Sequence, residues 1–111
     1  MRSYYIEELN QQDMEKIKKS FKEKKLDNPL DNLYWLPLPQ KFYTSEQKEH
    51  LSSCGPYYFP LELGKNWLKA ELLIRASNKI RCQCITYATP EQREYLVQWI
   101  NQLLAENQIF I

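Results

Sequence analysis

The clearest pattern in the chain is an alternation of apolar and polar positions between Tyr57 and Ala88. Tyr57, Phe59, Leu61 and Leu63 fall on one side of an extended segment. Leu68, Ala70, Leu72, Ile74 and Ala76 fall on one side of the next, alternating with Trp67, Lys69, Glu71, Leu73 and Arg75. A period of two marks strands with one buried face. Gly64-Lys65 suits a two-residue type II′ turn, which sets Leu61 opposite Leu68. A Ser77-Asn78-Lys79 turn sets Ala76 opposite Ile80, Ile74 opposite Cys82 and Leu72 opposite Cys84. Both turns bring the apolar faces to one side, so the expectation is an antiparallel meander over residues 57–88. Residues 67–76 are also rich in helix formers, which makes a helix there the competing expectation.

Helical spacing appears in three places. Asn10 reads as an N-cap, followed by Met14, Ile17 and Phe21 on one stripe of a helix over about 11–25. Asn28-Pro29 ends it, because the residue before proline leaves the helical region. Thr44 or Ser45 opens a short helix over about 45–54, which Gly55-Pro56 stops. Thr89-Pro90 starts the last helix, whose face of Tyr95, Leu96, Trp99, Ile100, Leu103 and Leu104 is expected to cover the sheet. Residues 3–7 suit a short edge strand. Leu33 to Pro39 is apolar but carries two prolines, so it is at most an edge strand. The expected fold is α+β: a three- to four-stranded antiparallel sheet packed against a C-terminal helix, with two further helices.

The 111 residues are the length of one domain, and no linker divides them. A net charge of +1 creates no field that would draw nucleic acid or a membrane surface, and neither is expected as a partner. No apolar run approaches the ~20 residues of a membrane span. The opening residues lack the apolar core of a secretory leader. Three cysteines fit no disulfide framework and suit a reducing compartment, so a cytoplasmic location is expected.

Four groups of residues could carry chemistry. Arg75 opposite Arg81, with Lys69 and Lys79 nearby, would form a cationic patch on the open sheet face. Facing like charges call for an anion between them, so a small anionic ligand is expected there. Trp35, Trp67 and Tyr58 belong to aromatic and proline-rich stretches that suit a partner surface. His50 with Cys54 one helical turn on, and Cys82 with Cys84 on one strand face, make a Cys3His set of the kind that holds zinc. In the meander's register, however, both strand cysteines would be core residues. The lysines of the first helix read as a solvated face, since Asp13, Glu15 and Glu23 offset them.

Catalysis finds little to build on. The chain has one histidine, two glycines and none of the nucleophile, phosphate-loop or metalloprotease motifs. The favoured expectation is therefore a non-catalytic binding or assembly module, for a protein partner or a second copy of itself, with no cofactor. The alternative is a small zinc-stabilised domain on His50, Cys54, Cys82 and Cys84. A thiol-dependent enzyme using Cys54 with His50 stands third. The segment Ile85 to Leu96, Ile-Thr-Tyr-Ala-Thr-Pro-Glu-Gln-Arg-Glu-Tyr-Leu, resembles the last strand and closing helix of PilZ-type domains. That family's Arg-x-x-x-Arg and Asp-x-Ser-x-x-Gly nucleotide motifs are absent, so the resemblance implies no function for this chain.

Overall fold

The computed structural model describes residues 2–110. Among them the chain forms six strands in one antiparallel sheet and four α-helices. Strand β1 (Ser3–Ile6) leads into helix α1 (Gln11–Glu23), then strand β2 (Leu33–Pro37). A single 3₁₀ turn, Gln40–Phe42, precedes helices α2 (Ser45–Glu49) and α3 (Leu51–Cys54). Strands β3 (Tyr57–Leu63), β4 (Leu68–Glu71), β5 (Leu73–Ala76) and β6 (Thr86–Tyr87) follow, and helix α4 (Pro90–Glu106) closes the chain.

β3 is the middle of the sheet. On one side it pairs with β2, and on the other with β4 and then β5. β1 extends the sheet beyond β4, and β6 beyond β5. β4 and β5 are two halves of one strand, broken at Leu72. β3 meets β4 through Leu61 to Leu63 and β5 through Tyr57 and Tyr58, so Phe59 and Pro60 have no ladder partner on that side. Proline cannot donate to a ladder and belongs at such interruptions. The break thus explains how Pro60 sits in a central strand. The two halves stay in phase: Leu68, Ala70, Ile74 and Ala76 are all buried, opposite the buried face of β3.

Residues 67–76 are therefore strand, not helix, but both turns differ from expectation. Leu63 pairs with Leu68, closing a four-residue loop of Gly64 to Trp67 in place of a two-residue turn. Trp67 folds its indole over Gly64, where any Cβ would collide with the ring, and packs against Tyr5 with ring centroids 5.6 Å apart. The second turn is far longer. Leu73 pairs with Tyr87 and Ile74 with Thr86, so residues 77–85 form a loop and the expected strand over 80–88 shrinks to β6.

The helices follow their local signals. The Asn10 side chain accepts from the Asp13 amide, and Met14, Ile17 and Phe21 are buried, as their spacing implies. The helix expected over 45–54 breaks at His50 into α2 and α3. α4 buries Leu96, Ile100, Leu103 and Leu104 against the sheet, and the Tyr4 hydroxyl donates to Asn101 at 2.7 Å. Phe21 of α1 stands between the sheet and α4, 4.8 Å from Tyr34 and 6.2 Å from Trp99. No helix of the described residues is long and apolar enough to cross a membrane.

One polar feature lies inside this core. Thr44 and Thr89 each close a capping box, with Gln47 and Gln92 as the third residue. Both glutamines are buried. Gln92 Nε2 donates to Gln47 Oε1 at 3.0 Å and to the Phe42 carbonyl at 2.8 Å. The first turns of α2 and α4 are thereby joined through their caps.

Candidate metal centre

His50, Cys54, Cys82 and Cys84 come together at one end of the sheet. Their four ligating atoms all lie within 4.8 Å of one another. Two segments build the cluster. The first is the α2–α3 junction, where the residues four apart present His50 and Cys54 together. The second is the 77–85 loop, which folds back so that Ile85 N–H donates to the Cys82 carbonyl at 3.0 Å. That turn aims Cys82 and Cys84 at the helical pair. The loop's other end is also tied down. Asn78 N–H donates to the Cys54 carbonyl at 2.9 Å, its side chain donates to the Gly55 carbonyl at 2.6 Å, and Ser77 N–H donates to the Pro56 carbonyl.

The geometry fits a tetrahedral cation. Zn–S bonds of about 2.3 Å and Zn–N bonds of about 2.0–2.1 Å imply donor–donor edges of roughly 3.6–3.8 Å. His50 Nδ1 and Cys82 Sγ are 3.3 Å apart, and no pair in the cluster exceeds 4.8 Å. Thiolate and imidazole donors in that arrangement favour zinc over the oxygen-seeking cations. The surroundings bear on charge. The Cys84 amide and thiol hydrogen-bond to Cys82 and lower its pKa, and His50 adds to this. Burial raises the pKa of Cys84, so a lone thiolate there is disfavoured without a cation to face it. Tyr57 packs its hydroxyl against Cys84 and donates to the Gln47 carbonyl at 2.9 Å; burial pushes its own pKa well up. Tyr57 thus links the cysteine loop to α2, the helix that leads into His50.

Cys54 and Cys84 are buried and Cys82 is half-buried, so the core position expected for the two strand cysteines holds for Cys84 and not for Cys82. No disulfide joins them. The Cys54 sulfur lies within 4.8 Å of the other three donor atoms.

The cationic patch is not built as expected. Arg81 is on the 77–85 loop and has no cross-strand position; the residue paired with Arg75 is Tyr58. Arg75 instead meets Glu71 at 3.2 Å, and Lys69 meets Glu62 at 3.2 Å. The pairing that called for an anion is therefore absent. The aromatic residues also divide. Trp35 stacks on Tyr58 with centroids 4.3 Å apart, while Trp67 stays at the β3–β4 turn with Tyr5. A groove of about 370 Å³ does gather Trp35, Tyr58, Arg75 and Lys79 on one surface.

Compared with known proteins, the chain matches no family model, no curated protein and no solved structure. The chemistry of the site itself carries the functional reading.

Proposed function

We propose that the chain is a small zinc-stabilised domain that works as a non-catalytic binding or assembly module in a reducing, cytoplasmic setting. The observation that carries this is the convergence of one imidazole and three thiols within 4.8 Å. Four protein donors complete a tetrahedral shell and leave no position for water or substrate, which is the pattern of a structural rather than a catalytic zinc. The metal would bond the 77–85 loop, which has little regular structure of its own, to the α2–α3 junction. Binding of that kind adds directly to folding free energy.

Metal analysis of protein purified without a metal-affinity step tests this. About one zinc per chain is expected. Chelator should lower the melting temperature, and zinc should restore it. Cobalt(II) in place of zinc should give the visible absorption of a tetrahedral thiolate site, which Cys82→Ser should weaken. Metal-free protein whose melt responds neither to chelator nor to added zinc would overturn the proposal.

A further inference from the structure

The loop that carries Cys82 and Cys84 also forms one wall of the groove. The other wall is the open sheet face, where Tyr58 lies directly across from Arg75 and supports Trp35. Lys79, Ile80 and Ile85 face them from the loop. At about 370 Å³ the groove matches the small end of ligand pockets, which run from roughly 300 to 1,000 Å³. We infer that it binds an acidic peptide segment bearing an aliphatic or aromatic side chain, and that metal at the Cys3His cluster sets the affinity.

Three observations support the occupant. Two cations line the groove and no carboxylate does. Lys79 is exposed without an ion-pair partner among the described residues, and Arg75 uses one nitrogen on Glu71, leaving further guanidinium donors. Beside these cations Ile80 is 88% exposed and Trp35 40% exposed, an apolar pair at a cationic rim. Single-stranded nucleic acid needs open aromatic faces and a basic track. Here Trp35 and Tyr58 cover one another at 16° between planes, and the chain's net charge is only +1. The peptide is the better match.

The dependence on metal, which rests on the zinc reading above, follows from position. Ile80 stands two residues before Cys82, and Ile85 directly follows Cys84. The loop's first residues are held by Ser77 and Asn78. Between that anchor and β6, the cluster fixes where Lys79, Ile80 and Ile85 stand. Without metal the loop wall loses its second anchor while the sheet wall keeps its place.

The test uses fluorescence anisotropy with three labelled probes of equal length: a peptide of Asp and Glu alternating with Leu and Phe, its counterpart with Lys for every acid, and an oligothymidylate. The acidic peptide should bind at least about tenfold more tightly than the basic one, and more weakly as salt rises. Arg75→Gln with Lys79→Gln should weaken it by about tenfold while leaving the melting curve in place. Chelation should weaken it by a similar factor. Equal binding of the two peptides, or an unchanged affinity in the double variant, would sink the assignment. Preference for the oligothymidylate would sink it in favour of nucleic acid. Zinc content and melting are read on the same samples. Zinc-loaded protein with no acidic preference overturns the groove alone. Metal-free protein that still binds the acidic peptide through Arg75 and Lys79 overturns the zinc dependence alone.

Discussion

Removing the Gln92 side chain should be among the most damaging single changes to this fold, and the structure gives its size. Gln92 is 1% exposed. Its oxygen accepts from the Thr89 amide at 3.0 Å, and its nitrogen donates to Gln47 Oε1 at 3.0 Å and to the Phe42 carbonyl at 2.8 Å. Gln92→Ala removes all three bonds and leaves the Thr89 amide and the Phe42 carbonyl without these partners, while Gln47 Oε1 keeps the Thr44 amide at 2.9 Å. At about 1 kcal/mol net per bond the loss is about 3 kcal/mol, more if the void stays open. A chain of this kind is stable by roughly 5–15 kcal/mol, so the variant should give up a large share of its stability. With a urea slope of about 2 kcal/mol per molar, the midpoint should fall by about 1.5 M, measured at fixed free zinc. Gln92→Met keeps the volume and isolates the polar part. A double-mutant cycle with Gln47→Ala should show a coupling of about 1 kcal/mol. The effect should reach the cluster too, because Gln47 holds α2 against α4 and its carbonyl takes the Tyr57 hydroxyl beside Cys84. Zinc affinity should therefore fall with Gln92→Ala. A loss under about 1 kcal/mol, well below the three-bond sum, would refute the view that the joined caps hold the two helices together.

Other expectations follow from single contacts. Asn107 caps α4, its side chain donating to Leu103 O at 2.8 Å and to Ser20 Oγ at 2.9 Å, so Asn107→Ala should cost about 1–2 kcal/mol in urea unfolding. Gly64→Ala drives a methyl into the Trp67 indole and should cost about 1–3 kcal/mol, and Trp67→Ala in the same chain should relieve much of it. Phe21→Ala empties a fully buried site and should cost about 3–5 kcal/mol by the same assay. All three thiols should resist alkylation in zinc-loaded protein and react once chelator is added, as read by mass spectrometry; fast labelling of loaded protein would argue against thiolate ligation.

Which residues face inward was legible from the sequence; which residues lie across from one another was not. Alternation has a period of two, so it fixes the face and leaves open every register that differs by an even number. The β3–β4 pairing is shifted by two residues from the expected one, and the β5–β6 pairing by four, yet Phe59, Leu61, Leu68, Ala70 and Ile74 are buried as read. The Gly64-Lys65 signal marked the right loop, but the reversal is centred one residue later, on Lys65 and Asn66, with Gly64 N–H donating to the Trp67 carbonyl at 3.0 Å. Capping residues were a firmer guide. Asn10, Thr44 and Thr89 all cap the helices they precede, because a cap acts on amides two or three residues away and needs no tertiary partner. Gln92 lay beyond such local rules: its burial depends on Gln47, forty-five residues earlier.

The same shift of register altered both candidate sites. A tight Ser77-Asn78-Lys79 turn would have put Arg81 across from Arg75 and laid Cys82 and Cys84 along a strand. Closing the hairpin at Ile74–Thr86 instead releases residues 77–85 from the sheet. The released loop can turn at Cys82 to Ile85 and present both sulfurs to the His50–Cys54 pair. The register that removed the cationic pair thus also placed Cys82 and Cys84 on a loop. The residue spacing pointed to the four donors as a set, but only long-range strand pairing could say that they would meet. Having left the ladder, the loop keeps backbone hydrogen bonds at Ser77, Asn78 and Ile85, and on the zinc proposal thiolate–metal bonds would supply its second hold.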